Sequence, residues 1–558
     1  MLPPATPVNN KVIRKDVVFK GFDLRLSAPS GSLSAVSGIS QERLPVLTNE
    51  AGFAEWVYDT VYDGLALFLP RLGRAIVDRL DYTSGENQIT FGTDTITTSV
   101  TDGFVRFQAG DDVAITGCTV NPGNNKAATV VEATDEVLTF EAATFTAGAE
   151  TAAITFTCCS FRFDGVTKGS ATATRKSMVD FNDVVVMMPD KNYYDIGADT
   201  YLPIGELTPD MRYITVHNNR IFGVNNVEVY ACKLGDYTSW YDFSGDNDDS
   251  YSTSIVDGGW FTGITTYQGK VIMFKHDSMY ELTTGNYNTP SEFYIRKIAD
   301  VGCISNDSIV EINGILYFVG HEHVYKFTGS SPIPISYQLG DIYALTTFAG
   351  LCSGTGYAVA GTDGERYFVT FMAYNGTAAA GAQYVDTKIY TYDPKNGQWS
   401  KSQVTYRVRQ FAYPKDWFYL TNKILYGLCD IGASQDYFDK VYAISYYTDT
   451  YDDTASNSVP WSFSLRIEDE EWYGKKLLEE VVIRSYAENT VTVTYTPDSG
   501  DAVSLGTYST ASSTMNKGEI IRFRIRARRL HTYTLNFSGT GRFALYGVQR
   551  KIILGSAN

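Results

Sequence analysis

Three stretches of the sequence share one pattern: HNNRIFGVNNVEVY (217–230), YQGKVIMFKHDSMY (267–280) and INGILYFVGHEHVY (312–325). Each opens near a turn rich in Asn or Gly and continues as an apolar strand. A short gap follows, and then a second strand that contains Tyr. Turn, apolar strand, gap and Tyr strand are typical of an antiparallel β-hairpin. The three stretches therefore predict a mostly β protein built from repeated hairpins.

The Tyr strand recurs six times as apolar-Tyr-x-apolar, centred on Tyr194, Tyr230, Tyr280, Tyr325, Tyr390 and Tyr442. Related apolar strands precede the other copies: DFNDVVVMM (180–188), DGERYFVTF (363–371) and TNKILYGL (421–428). A spacing of roughly 50 residues leaves room for two further strands in each repeat, which predicts a six-bladed β-propeller. A solenoid is the alternative, and the irregular spacing disfavours it.

Composition and patterning divide the chain into four regions. Residues 1–80 are predicted to be an N-terminal docking arm with a short helix, because large apolar residues from Trp56 to Leu80 lie roughly on one side of a helical projection. Residues 81–160 are rich in Thr, Ala, Val and Gly and predict an inserted small β module. The propeller is expected over 161–455. Alternating strands over 456–558 predict a C-terminal β-sandwich.

The charge and the cysteines narrow the function classes. The chain has 46 Lys and Arg against 63 Asp and Glu, a net charge of −17, which argues against tight binding of nucleic acid. No apolar run reaches the roughly 18 residues that span a bilayer. The N-terminus lacks the apolar segment of a secretion signal, so we expect folding in the cytosol. Cys232, Cys303, Cys352 and Cys429 are expected to be buried thiols.

Catalytic motifs do not stand out in the sequence. The Ser-x-Asp-x-Gly-x-x-Trp boxes of sialidase-like propellers are missing, and the nearest string, Ser254 to Trp260, has the wrong order. No GxSxG, HExxH or P-loop motif occurs. The sequence predicts that the chain is not an enzyme and has no cofactor. A propeller hydrolase and a receptor-binding, glycan-binding protein stay open as alternatives.

Two clusters resemble metal ligands. His321-Glu322-His323 could present two imidazoles, although a hairpin tip explains these residues better because no third ligand lies nearby in sequence. Asp246-Asn-Asp248-Asp249 resembles the start of a calcium loop but has Tyr251 at the position of the expected glycine. A solvated loop between blades is the favoured interpretation, and no metal site is predicted.

The most regular charge pattern is at residues 522–528, where Arg522, Arg524, Arg526 and Arg528 alternate with smaller or apolar residues. Period two places the four arginines on one face of a strand. They are a candidate subunit interface or channel patch. The alternatives are contact with DNA and a solvated face paired within the chain, with Glu468, Asp469, Glu470 and Glu471 as partners.

The stretch from about residue 211 to 336, with the Trp240-Tyr241 pair and the Gly302-Cys303-Ile304-Ser305 step, resembles the propeller core of phage tail hub proteins. These include the tail nozzle proteins of short-tailed phages and the packaged-DNA stabilisation proteins. The GDDVAITG module at 110–117 is similar to small β modules of virion proteins. No DNA-contacting residue carries over by motif.

The resemblance implies a structural protein of the phage tail, assembled in the host cytoplasm into a homo-oligomeric ring, commonly a hexamer. Such a ring attaches below the head-to-tail adaptor on the portal side and meets tail fibre or distal tail proteins. It continues the DNA channel, retains the packaged DNA and allows its ejection. DNA would pass without specific binding, which an acidic wall favours.

Overall fold

A computed structural model describes residues 6–8, 11–16, 47–49, 54–62, 64–68, 73–285, 288–337, 339, 357–373, 384–385, 388–395, 397–403, 407–413, 425–430, 439–445, 460–467, 476–487, 489–497, 500–510, 519–525, 529–530, 533–540 and 543–554. Helical structure in this part of the chain consists of single 3-10 turns at Pro122–Asn124, Pro290–Glu292 and Asn306–Ser308 and of a 3-10 turn that includes Tyr337 and Leu339. The rest of the regular structure is β, and it is propeller-like.

The first fifteen strands include those of the N-terminal arm, the inserted module and the first of the repeated sheets. They are β1 (Thr6–Val8), β2 (Lys11–Asp16), β3 (Leu47–Asn49), β4 (Ala54–Tyr62), β5 (Gly64–Phe68), β6 (Ala75–Thr83), β7 (Ile89–Phe91), β8 (Thr95–Thr98), β9 (Asp112–Thr116), β10 (Ala127–Thr129), β11 (Glu132–Ala133), β12 (Val137–Thr139), β13 (Gly148–Ala149), β14 (Thr155–Phe163) and β15 (Val166–Ser170).

The next sixteen strands follow one another in groups of four. They are β16 (Ser177–Phe181), β17 (Val184–Met188), β18 (Asn192–Asp195), β19 (Thr200–Pro203), β20 (Tyr213–His217), β21 (Arg220–Asn225), β22 (Glu228–Ala231), β23 (Tyr251–Ser254), β24 (Phe261–Tyr267), β25 (Lys270–Lys275), β26 (Met279–Thr283), β27 (Tyr294–Ala299), β28 (Val310–Ile312), β29 (Ile315–Val319), β30 (Val324–Phe327) and β31 (Ile333–Pro334).

The remaining strands complete the repeats and form the C-terminal part. They are β32 (Tyr357–Thr362), β33 (Tyr367–Ala373), β34 (Tyr384–Val385), β35 (Lys388–Asp393), β36 (Gln398–Gln403), β37 (Arg407–Ala412), β38 (Leu425–Asp430), β39 (Asp439–Ser445), β40 (Pro460–Ile467), β41 (Lys476–Ala487), β42 (Val491–Pro497), β43 (Val503–Tyr508), β44 (Glu519–Arg524), β45 (Arg529–Leu530), β46 (Tyr533–Thr540) and β47 (Phe543–Leu554).

Seven antiparallel groups of four strands repeat along the described chain. We number them as sheets 1 to 7: β5-β6-β14-β15, β16-β17-β18-β19, β20-β21-β22-β23, β24-β25-β26-β27, β28-β29-β30-β31, β32-β33-β35-β36 and β37-β38-β39-β4. Each of the six repeated tyrosines lies in the third strand of its sheet, in sheets 2 to 7. The predicted equivalence of these strands is confirmed, whereas the count of six blades is not.

The hairpins between first and second strands have the turn chemistry that the sequence indicates. Positive φ angles occur at Asn218 and Asn219 (47° and 57°) and at Asn313 and Gly314 (51° and 76°). Two consecutive positive φ angles define the type I′ turn, whose twist matches that of the flanking strands. Asn and Gly tolerate this backbone conformation at low cost, which explains their position in the repeats.

Neighbouring sheets share buried apolar cores. Val184 and Val186 of sheet 2 pack with Ile221 of sheet 3, and the same kind of cluster joins sheets 3 and 4, 4 and 5, and 5 and 6. The first strands β32 and β37 lie together, as do β37 and β5. Ile76 of sheet 1 packs with Leu428 of sheet 7.

Sheet 1 also contacts sheet 2. Val77 and Phe161 pack against Val185 and Tyr194 across that boundary. Each sheet is therefore next to its successor, and sheet 1 lies between sheets 7 and 2.

The helix predicted within residues 1–80 is wrong. Its described residues form β4, β5 and the start of β6. The sequence AEWVYDTVY of β4 is rich in aromatic and β-branched residues, which favour a strand over a helix. Gly64 lies at a register shift in the pairing of β5 with β6, so it breaks the strand pattern as well as the helical one.

The inserted module leaves sheet 1 between β6 and β14. Strands β7, β8, β11, β12 and β13 form a second small sheet, while β9 and β10 extend the pairing of β14. Phe104 and Phe156 are buried in its core with ring centroids 5.3 Å apart. Because β6 and β14 pair along nine residues each, the module stands on a continuous two-stranded stem.

The C-terminal strands form two groups around one core. One group is β1-β2-β47-β41-β44, with β45 also paired to β41, and the other is β40-β46-β42-β43. Val481 and Val548 from the first group are buried with Val493 and Phe537 from the second. The N-terminal strands hold the parts together, because β3 pairs with both β36 and β40 while β4 pairs with β39.

Candidate functional site

Arg522 and Arg524 of the arginine pattern lie on β44, which is the last of the described strands in the order of its sheet. Arg522 and Arg524 are exposed, whereas Phe523 and Ile525 turn inward onto the C-terminal core. This is the alternation that period two predicts. Arg526 and Arg528 lie outside the described residues, as do the acidic residues 468–471 proposed as their partners.

One carboxylate from the neighbouring strand approaches these arginines. Glu480 of β41 lies opposite Arg524 in register, and its Oε1 is 3.8 Å from Nη1 of Arg522. The Arg522 side chain is 63% exposed, so this pair is solvent-screened and contributes at most about 1 kcal/mol to folding. Arg484 is exposed on the same strand as Glu480, two residues beyond Val482. The outward face is therefore predominantly basic on an acidic chain.

The His321-Glu322-His323 cluster lies in the turn between β29 and β30, so the predicted hairpin tip is confirmed. The ring of His321 is 5.2 Å from that of His276, which lies in the corresponding turn of sheet 4. His323 contacts the Tyr337 ring at 4.6 Å and lies 3.2 Å from the Ser336 hydroxyl. The sequence did not indicate this contact between the turns of two sheets.

The Asp246 loop lies between β22 and β23 of one sheet, so its predicted place between blades is wrong. Its three carboxylates, on Asp246, Asp248 and Asp249, have oxygens within 4.8 Å of one another. The Asp249 carboxylate accepts hydrogen bonds from the backbone N–H groups of Gly245 and Asp246, and the Lys233 ammonium is 3.6 Å from the Asp248 carboxylate. A lysine and two backbone donors thus offset part of the negative charge.

The same loop exposes two aromatic rings. Tyr241 and Phe243 are 47% and 56% exposed, and their centroids are 6.2 Å apart. Trp240, the other member of the Trp-Tyr pair, is buried, and its Nε1 donates to the carbonyl of Tyr237 at 2.8 Å. The sequence pair singled out in the repeat therefore divides into a core residue and a surface residue.

Two cysteines whose burial was predicted can be assessed. Cys232 and Cys303 are fully buried, which confirms that prediction, and burial raises the pKa of the Cys303 thiol to about 12. Cys352 lies outside the described residues, and the side chain of Cys429 is likewise not described.

A buried ionic cluster in sheet 1 was not recognised in the sequence. Arg162 lies 3.1 Å from Asp78 and 3.2 Å from Asp111, and all three side chains are buried. Ser160 and Thr167 each donate to Asp111 at 2.8 Å. Asp111 belongs to the GDDVAITG motif, but its partners are far away in sequence. Each charged group of the cluster has a partner of opposite charge, so the cluster holds the stem of the module together rather than forming an open site.

No protein-family model matches the chain, and no curated protein matches it. Similar solved structures include an exo-β-1,3-galactanase from Phanerochaete chrysosporium, at 9% identity and TM-score 0.24, covering 69% of this chain and 97% of that one. A family 43 arabinoxylan arabinofuranohydrolase from Bacillus subtilis has 9% identity and TM-score 0.19, covering 92% and 97%. The extracellular domain of a hybrid two-component system from B. thetaiotaomicron has 10% identity and TM-score 0.33, covering 94% and 78%.

These comparisons correct one prediction. The sequence predicted that the chain is not an enzyme, and that exclusion is wrong because glycoside hydrolases are among the similar structures. Because their TM-scores are below 0.5, these structures identify no active site or substrate for this chain. Within the described residues, no helix is long and apolar enough to cross a membrane.

Proposed function

We propose that sheets 1 to 7 are the blades of a single propeller and that the C-terminal strands form a β-sandwich. The shared cores between successive sheets support this arrangement, as does the position of sheet 1 between sheets 7 and 2. In this arrangement β4 supplies the last strand of blade 7 immediately before β5 begins blade 1. Joining the two ends of the propeller in this way closes the ring of blades.

We propose that the protein is a structural component of a phage tail that assembles into a ring of identical subunits, with six copies as the expected number. The observation that carries this proposal is the basic outward face of β44 on a chain of net charge −17. Separated patches of opposite charge favour association between copies and fix its orientation. The resemblance to tail hub and tail nozzle proteins supplies the biological setting.

In this setting the ring lies below the head-to-tail adaptor and continues the DNA channel. Its net charge repeats with every subunit, so the assembled wall repels phosphates and lets DNA slide past. The proposed location is the virion tail, and the neighbours are the portal-side adaptor and the tail fibre or distal tail proteins. Catalytic activity toward glycans is compatible with such a location and is a separate question for experiment.

The mass of the purified protein at graded salt concentrations tests this proposal. We expect a ring near six times the mass of one chain at low ionic strength, which dissociates as salt rises because charged contacts are screened. Under the same low-salt conditions we expect weak binding of double-stranded DNA. A chain that remains monomeric at micromolar concentration and low salt would contradict the proposed function.

A further inference from the structure

We propose that the arginine face of one subunit binds the aromatic loop of a second copy of this chain. The arginine face is the outward side of β44 and β41 with Arg522, Arg524 and Ile520, beside Arg484. The aromatic loop is residues 241–249, between β22 and β23. This contact deepens the ring assembly proposed above and rests on it.

The arginine face combines positive charge with apolar area. Ile520 is 62% exposed and lies two residues before Arg522, so both project from the same side of β44. Because β44 is the outermost of the described strands of its sheet, a partner can approach its side without displacing another described strand. Guanidinium groups bind carboxylates and also stack on aromatic rings, which makes arginine common at protein interfaces.

The aromatic loop has the complementary chemistry. The rings of Tyr241 and Phe243 are exposed next to each other, and the carboxylates of Asp246 and Asp248 follow in the same loop. Asp246 is exposed, while Asp248 is half-buried near Lys233. Large rings at the centre of a contact, with charged groups at its border, are typical of the residues that dominate binding energy.

The two surfaces are different patches on the same chain. A contact between them is heterologous, so each subunit uses its arginine face on one neighbour and its aromatic loop on the other. Two copies joined in this way still present one unoccupied surface of each kind. Further copies add until the rotation closes the ring, which a self-complementary contact would not produce.

Two variants and their mixture test this contact. The first carries Arg522→Glu and Arg524→Glu, and it keeps the aromatic loop. The second carries Phe243→Ala and Asp246→Lys, and it keeps the arginine face. Sedimentation velocity at low salt should show each variant alone as a monomer. An equal mixture should form a heterodimer and no ring, because only one intact contact is possible between the two chains.

Two control variants test whether the loss of assembly is specific to the arginine face and the aromatic loop. Arg79→Glu and Asp300→Lys reverse exposed charges outside both surfaces, and both variants should assemble as the wild-type chain does. Thermal unfolding of each variant confirms that it is folded before its mass is interpreted. If the wild-type ring forms and the second variant forms the same ring, the aromatic loop is not the partner and the proposed function stands. A monomeric wild-type chain overturns both.

Discussion

Gly302 lies in the connection between sheets 4 and 5, at a point where there is no room for a side chain. A Cβ at this position would be 2.0 Å from the carbonyl oxygen of Lys275 and 2.3 Å from that of His276. Both atoms belong to the backbone, so they cannot rotate away. The segment after Gly302 is fixed there by the Cys303 N–H, which donates to Lys275 at 3.1 Å.

We expect Gly302→Ala to lower the free energy of unfolding by about 3 kcal/mol, at the upper end of overpacking costs. Urea denaturation of the variant and the wild-type chain measures the difference. Gly123→Ala is the control, because a Cβ there meets no atom within 4 Å and the change should stay under about 1 kcal/mol. Equal losses in the two variants would show that the close approach is not the cause.

His217 is buried at the end of β20, and its Nε2 has no hydrogen-bond partner among the described residues. Burial lowers its pKa below the ordinary value of 6.5. The unfolded chain therefore binds a proton that the folded chain rejects as pH falls below 6.5. Burial of the neutral His217 ring therefore lowers the free energy of unfolding only in acid: above pH 6.5 there is no such loss, and the loss grows as the pH falls further.

We expect His217→Gln to lose less stability than the wild-type chain between pH 7.5 and 5.5. Unfolding curves recorded across this range provide the measurement. His276→Gln, which replaces a surface histidine in the turn after β25, is the matched control for the loss of one histidine. If His217→Gln also follows the wild-type profile, proton uptake at His217 does not contribute to the pH dependence.

At the scale of elements, strand β4 closes sheet 7 by pairing with β39 from the far end of the repeats. Removing residues 1–62 leaves β39 with an unpaired edge. We expect the shortened chain to unfold at a temperature lower by about 5 °C or more. A peptide of residues 50–63 added in trans should restore part of the loss by pairing with the open edge. An unchanged unfolding temperature would contradict the closing role of β4.

The tyrosine repeat could be predicted from sequence because turn chemistry and strand alternation are local. Tyr230, Tyr280 and Tyr325 occupy equivalent third strands, as their spacing indicates. Sheet 1 could not be predicted in the same way, because the inserted module separates β6 from β14 and because β14 contains no tyrosine. The strand nature of β4 was missed because its apolar residues also fit a helical projection.

The arginine face could be predicted only in part. Period two placed Arg522 and Arg524 on one side of a strand, but nothing in the sequence indicated which carboxylate would lie opposite. Glu480 belongs to another strand of the sheet, and its pairing with β44 depends on register. The exposure of the Tyr241 and Phe243 rings could not be predicted either, because it depends on how the loop folds back on Trp240.

At the scale of the whole molecule, N-terminal strands connect the propeller-like sheets to the C-terminal strands. Strands β1 and β2 extend the pairing of β47, and β3 joins β36 to β40. Such interlocking limits relative motion of the two parts, as the proposed ring around a DNA channel requires. It also predicts that the arginine face and the aromatic loop keep a fixed geometry within each subunit.

Two-dimensional class averages of the purified protein by cryo-electron microscopy provide a direct test of the proposed ring. We expect end-on views of a closed ring with an open channel, about six subunits around it, and a propeller of seven blades in each subunit. Single particles without a channel, at a concentration and salt that favour charged contacts, would contradict the proposed ring. Glycan cleavage by such monomers would point to a hydrolase instead.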